Sequence, residues 1–220
     1  MQKVISFSLW GTSPHFLQGA IENAKMINRD LYKGWEARFY VSEDVDPKII
    51  DELKDLGANV IPSSSSGGFH MLYDRFLPLT DTDVDYFIVR DCDSRPSDKE
   101  YKAVMSWLNT PFQFHCMRDH EYHNFPIMGG MWGAKQDGSM NLSNVFEYLK
   151  GSNASQNYND DQMALANFYQ QFSYNFLEHD DYQRFNGLPF PPHNGFLHGS
   201  FIGERINADN TPGPLERWSH

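Results

Sequence analysis

The sequence predicts an α/β fold: a mixed, mainly parallel sheet flanked by helices. Three observations predict it. Strand and helix patterns alternate β-α-β-α-β from Lys3 to Ile61, an order that implies parallel strands joined by right-handed crossovers. Tyr86-Phe-Ile-Val89 is a run of aromatic and β-branched residues, the composition of a strand covered on both faces. No Pro/Gly/Ser-rich linker divides the 220 residues, so one domain over 1–220 is expected.

Lys3 to Leu9 reads as the first strand. Ser13 caps the first helix and Pro14 opens it. Leu17, Ala20, Ile21, Ala24, Ile27 and Leu31 recur along it at helical spacing until Gly34 stops it. Trp35 to Val41 is the second strand. Asp46-Pro47 starts a helix carrying Ile49, Ile50, Leu53 and Leu56, which Gly57 ends ahead of a short strand, Ala58 to Ile61. Ser63-Ser-Ser-Ser66-Gly67-Gly68 reads as a mobile loop at the sheet edge, and Phe69 to Phe76 as a short helix leading to the strand that ends at Val89. Ser97-Asp-Lys-Glu100 has the spacing of a capping box and opens a helix with Val104, Met105, Trp107 and Leu108. The pattern then loosens. Pro111 to Met117 and Ile127 to Trp132 read as strands, and Leu142, Val145, Phe146 and Leu149 as one face of a helix. Asn159-Asp160-Asp161 caps a further helix to about Phe172. The Pro-, Gly- and His-rich tail from Asn186 reads as an ordered loop folded back over the site.

Composition narrows the function. A formal charge of −11 argues against non-specific nucleic-acid binding, which needs a basic footprint. A small anionic substrate needs only local positive charge, and Arg90, Arg95, Arg118 and Lys135 lie near the motifs below. No apolar run approaches the ~18 residues that would span a bilayer. The N-terminus lacks a signal peptide's layout. Cys92 and Cys116 cannot make a disulfide framework, so reduced thiols and a cytoplasmic location are expected.

The segment Arg90-Asp91-Cys92-Asp93-Ser94-Arg95 carries most of the chemistry. It follows the buried strand, at the carboxyl edge where open α/β sheets bind ligands. Residues i and i+2 on extended backbone point the same way, so Asp91 and Asp93 can share one cation. Their hard oxygens suit Mg²⁺ or Mn²⁺, an ion that would neutralise a departing diphosphate. Arg90 or Arg95 could add charge-assisted hydrogen bonds. The plainer reading is an acidic turn ahead of the helix near Ser97. In Met128-Gly129-Gly130-Met131-Trp132-Gly133 the glycines suggest close approach of backbone to a ligand, or a tight corner around a core Trp. Asp160 and Asp161 sit where the helix macrodipole favours acids, which accounts for one of them. The other, Asp161 ahead of Asp160, suits a carboxylate that accepts a proton from an acceptor hydroxyl. His115-Cys116 through His123 offers zinc-type ligands without the partner pairs of a structural zinc motif, so Arg118, Asp119 and His120 are expected in a polar loop lining the substrate site. Among the loop histidines, His198 is the candidate to complete the metal shell, because Phe196 to Gly203 reads as packed against the core.

These pieces, in order, resemble the nucleotide-sugar-dependent glycosyltransferases of the GT-A fold. The matching parts are the strand Val4 to Leu9, the β-α-β-α-β half, Asp91-x-Asp93 after a buried strand, Gly129-Gly130, and Asp161-Gln162 opening a helix. The likeness covers about residues 3–203 as a pattern, not as close identity. It implies a Rossmann-type sheet with a nucleotide-binding half at about 1–95 and an acceptor-side half at about 96–220. It implies Mn²⁺ or Mg²⁺ on Asp91 and Asp93, completed by His198 or else His179, and a UDP- or GDP-sugar donor. Ser8, Leu9 and Trp10 would hold the base and ribose. Arg75, Arg90, Arg95, Gly129 and Gly130 complete the donor set, and Asp161, with Asp160, would serve the donor sugar or a glycan or other hydroxyl acceptor. The Arg-Asp-Cys-Asp-Ser-Arg form and the Arg118-Asp119-His120 element are not general in that superfamily, and the C-terminal half is short. Three other classes stay open: a nucleotidyltransferase, for which Gly11-Thr12-Ser13 is a thin phosphate loop without a nearby lysine; a non-catalytic carbohydrate-binding domain; and a zinc hydrolase built on the histidines.

Overall fold

In the computed structural model, which describes residues 1–29, 31–64, 67–151 and 159–214, the chain opens with β1 (Gln2–Leu9), α1 (Pro14–Arg29), β2 (Glu36–Val41), α2 (Pro47–Asp55) and β3 (Asn59–Pro62). A 3-10 helix (Phe69–Thr80) leads to β4 (Val84–Val89) and α3 (Asp98–Leu108). Then come β5 (Phe114–Arg118), β6 (Trp132–Lys135), α4 (Leu142–Gly151), α5 (Asp160–Phe172), a 3-10 turn (Ser173–Asn175) and β7 (Phe176–Asp180). Among the described residues seven strands form one sheet, ordered β3-β2-β1-β4-β6-β5-β7. Strand β6 runs antiparallel between β4 and β5, and the other pairings are parallel. The expected α/β class and mixed, mainly parallel sheet are both observed. Ser65 and Ser66 of the expected edge loop lie outside the described residues.

The period-2 alternation of β1 divides the core. Ile5, Phe7 and Leu9 pack beneath α1 to α3 with Ile21, Leu53, Val104 and Trp107, while Val4 joins Phe76, Phe87, Trp132, Leu149 and Phe168 on the opposite face. Phe7 stacks on its register partner Phe39, centroids 4.6 Å apart. Each such buried side chain contributes about 1.5–3 kcal/mol, so the central strands hold the carboxyl edge rigid. The caps follow the sequence in part. Asp46 accepts from the Lys48 amide at 2.9 Å, and Ser97 Oγ accepts from the Glu100 amide at 3.1 Å. Glu100 does not close the capping box. Its buried carboxylate instead faces Arg90 Nη2 at 3.2 Å and accepts from Tyr32 OH at 3.1 Å. Lys135 is a helix cap, its Nζ donating to the carbonyls of Trp107 and Thr110 at 3.0 and 2.6 Å.

The second half departs from the expectation. The strand expected over Ile127 to Trp132 begins only at Trp132, because the preceding residues turn, with the Met131 amide bonded to Met128 O at 3.0 Å. Strand β7 is not anticipated at all. It brings Glu178 and Asp180 against Arg118, which is fully buried and donates to Asp180 Oδ2 at 2.8 Å and to the Glu178 carboxylate. Arg118 therefore belongs to the interior between β5 and β7, not to a polar loop at the substrate site. Asp119 is likewise engaged, its two oxygens each accepting from the Ile202 amide at 3.0 Å. His115 Nε2 faces His179 Nδ1 at 2.8 Å inside the core, so the zinc-type segment is split between the interior and the surface. Among the described residues, no three His, Cys, Asp or Glu side chains are gathered to hold a metal.

These buried histidines set an acid limit. Burial holds His179 down at about 4, and burial followed by His120 holds His123 at about 3. Burial, then His179, depresses His115 as well. Unfolded, all three titrate near 6.5. Their folded values are depressed, so the stability they protect is complete above pH ~6.5 and falls as the unfolded chain takes up protons the native state refuses. The histidines should pull the melting temperature down from pH 6.5 to 4, against the opposite slope contributed by buried carboxyls such as Asp93, Glu100 and Asp119, whose values burial raises. His179→Gln should reduce that slope by about one proton, and identical slopes for the two proteins would refute the assignment.

Candidate active site

The carboxyl end of β4, the turn before β6 and the first turn of α5 converge on Arg75. Arg75 comes from the 3-10 helix and is only 4% exposed. Its terminal nitrogens diverge, Nη1 donating to Asp91 Oδ1 and Nη2 to Asp161 Oδ2 at 2.5 Å. The Asp161 side chain is 4% exposed and that of Asp91 is 40% exposed, so Asp91 is the acid open to a ligand. The two glycines lie directly on these acids. A Cβ on Gly129 would fall 2.5 Å from Asp161 Oδ2, and one on Gly130 would strike Asp91 Oδ2. Any side chain there would push the carboxylates apart, which explains two consecutive glycines at this turn.

Helix α5 docks on the same turn. Asn159 is left-handed, φ 73°, and its Oδ1 accepts from Gln162 Nε2 at 2.9 Å. Gln162 Oε1 in turn meets the Gly129 amide at 3.5 Å. Asp160 lies half-buried beside Asp161. Asp93, also half-buried, has its carboxyl pushed up to about 7 by burial and then by Asp91, against the opposing pull of Arg205. The hard oxygens of this pair fit Mn²⁺ or Mg²⁺, although the Arg75 guanidinium already supplies a cation to Asp91.

The expected donor residues divide into engaged and open groups. Arg90 turns inward, donating to Gly130 O at 3.2 Å and Ser94 Oγ at 3.1 Å besides meeting Glu100. It fixes the Gly130 backbone from beneath. Arg95 is buried and donates to Asn210 Oδ1 at 3.3 Å and to the Ser94 carbonyl at 3.2 Å, tying the exit of β4 to the tail. Ser8 Oγ donates to Met71 O at 2.6 Å and Leu9 is buried, whereas Trp10 is half-buried at the edge. His198 is half-buried in the tail and is not gathered with Asp91 and Asp93, while His179 is committed to His115. The tail does reach the backbone of this segment: the Ile206 amide donates to the Asp93 main-chain carbonyl at 2.6 Å.

Sequence reasoning missed two residues here. Asp44, exposed just past β2, accepts from the Gly11 amide at 3.1 and 3.2 Å. The Ser42 hydroxyl and that amide hold its carboxyl below the usual range. An acid directly following the second strand, at the same edge as Asp91, was the available signal. Arg205, in the tail, draws the Asp93 carboxyl down through its charge, and nothing in its local sequence marks it.

No protein family and no curated protein matches the chain, but solved structures do. The chain has a GT-A-like fold, the α/β architecture of nucleotide-sugar glycosyltransferases. Mannosyltransferase PcManGT from Pyrobaculum calidifontis, solved with GDP-Man and Mn²⁺, aligns with a TM-score of 0.56 at 15% identity, over 82% of this chain and 55% of that one. Glucosyl-3-phosphoglycerate synthase from Mycobacterium tuberculosis, solved with Mn²⁺, UDP and glucosyl-3-phosphoglycerate, aligns with a TM-score of 0.53 at 12% identity, over 80% and 68% of the two chains. This chain thus spans little more than half the length of the mannosyltransferase. Among the described residues no helix is long and apolar enough to cross a membrane.

Proposed function

We propose that this protein is a metal-dependent glycosyltransferase that moves a sugar from a UDP- or GDP-linked donor to a glycan or other hydroxyl acceptor. One observation carries the reading: Asp91 at the end of β4 and Asp161 at the start of α5 are drawn to a single buried guanidinium beneath two consecutive glycines. Support comes also from the fold, whose ligand edge is where these residues lie, and from the two neighbours solved with Mn²⁺ and a nucleotide or nucleotide sugar.

Each residue then has a physical task. Asp91 and Asp93 would hold the divalent ion, which when bound supplies electrostatic stabilisation to the departing diphosphate. Gly129 and Gly130 let the turn close directly onto the acids, which holds both carboxylates in place. Arg90 fixes the Gly130 backbone, so that surface does not relax when charge develops. Asp44 and the backbone around Trp10 offer acceptors suited to a nucleoside's hydroxyls. Asp161 would anchor Arg75, and half-buried Asp160 beside it would orient an acceptor hydroxyl and accept its proton. Positioning does much of the remaining work. Thermal-shift measurements with UDP, GDP and MnCl₂, singly and together, test the reading. At a ligand concentration of about 100 Kd, the matching nucleotide with Mn²⁺ should add about 2.7 kcal/mol, a rise of roughly 5–10 °C for a chain this size. No shift with either nucleotide in Mn²⁺ would refute it.

A further inference from the structure

Arg75 is a cation already in residence at the acids. It is buried, its Nη1 is on Asp91, its Nη2 is on Asp161 at 2.5 Å, and its Nε has no hydrogen-bond partner. Asp91, the acid the proposed reaction needs for a metal, is therefore not an unoccupied ligand. A divalent ion and a guanidinium nitrogen on one carboxylate would set like charges close together where solvent screening is weak. We propose that Arg75 and the divalent cation compete for Asp91, and that the nucleotide diphosphate makes the exchange favourable by offering Arg75 replacement oxygens. The proposal rests on the glycosyltransferase reading and adds a coupling to it. Arg75 keeps Asp161 through Nη2 while releasing Asp91, so the acceptor-side acid stays in place as the donor loads. Arg75 is in this sense a positioning residue between the two halves of the site. The role calls for arginine, whose planar fork serves two carboxylates at once, whereas lysine is a single point charge.

Such an exchange makes metal and nucleotide binding mutually dependent, and linkage requires the dependence to be reciprocal. Calorimetric titrations of MnCl₂ alone, UDP or GDP alone, and MnCl₂ in the presence of nucleotide test it on the wild type, Arg75→Lys and Arg75→Met. In the wild type, nucleotide should tighten Mn²⁺ binding by about tenfold or more. Arg75→Met should bind bare Mn²⁺ at least about fivefold more tightly than wild type and show coupling weaker by at least about threefold, the remainder coming from direct attraction between ion and diphosphate, with Arg75→Lys between the two. Melting curves in the same buffers verify that each variant is folded. If Arg75→Met does not fold, Arg75→Lys carries the test, and bare-Mn²⁺ affinity and coupling equal to wild type overturn the proposal. Equal coupling in all three proteins refutes the exchange and leaves the glycosyltransferase reading intact. A wild type that binds no nucleotide with Mn²⁺ refutes both.

Discussion

Asp91→Asn is expected to lower metal-dependent transfer, or donor hydrolysis in the absence of acceptor, by roughly 10²–10³-fold, the usual cost of removing one group that stabilises developing charge. The fold should survive the change. Asp91 is the more exposed of Arg75's two partners, and the pair with Asp161 remains to satisfy the buried guanidinium. A melting temperature within a few degrees of wild type, together with the loss of turnover, is the expected pairing of results. Unchanged turnover would remove the metal role from Asp91, and a collapsed melting temperature would recast the residue as structural.

Asp93→Asn should separate the same two properties differently. Burial and Asp91 raise the Asp93 carboxyl to about 7, above the ~3.9 expected in the unfolded chain. A raised folded value means that the native state is favoured below pH ~4 and progressively penalised as pH rises through about 7. Removing the charge should therefore raise the melting temperature of the metal-free protein at pH 8 while abolishing its response to Mn²⁺. In the wild type the proton competes with the metal, so Mn²⁺ affinity should weaken below pH ~7.

The first half of the fold was legible because local and tertiary signals agree there. β1, β2 and β4 carry apolar residues on both faces, and Asp46 and Ser97 cap the helices their spacing predicted. Strand β7 was illegible because Phe176-Leu-Glu-His-Asp180 holds three ionisable residues in five. It is a strand only because Arg118, distant in sequence, neutralises two of them and His115 pairs with the third. The acids and glycines of the candidate site could be picked out singly, since Asp-x-Asp and Gly-Gly are local patterns. Their meeting around Arg75 could not, because it depends on a turn where a strand was expected. The inward turn of Arg90 was hidden for a similar reason: its partner Glu100 has the spacing of a capping box with Ser97.

Arg118→Met is expected to be among the most destabilising single changes in the chain. Arg118 is fully buried, and so are the Glu178 and Asp180 side chains it serves. Removing one partner from a buried ion pair typically costs 3–5 kcal/mol, because the remaining charge is left without compensation. For a domain of this size that is roughly 6–20 °C in melting temperature. The loss should come from the stranded acids and not from the missing side-chain volume, since methionine fills much of the same space. The triple variant Arg118→Met/Glu178→Gln/Asp180→Asn should then recover most of the stability. Glutamine can still accept from Tyr169 OH, which bonds Glu178 at 2.6 Å, and asparagine from the Tyr182 amide, which bonds Asp180 at 2.8 Å. A single variant within 1 kcal/mol of wild type would mean that water reaches the acids. A triple variant no more stable than the single would place the cost in packing against Phe185, whose ring lies 4.8 Å from the guanidinium.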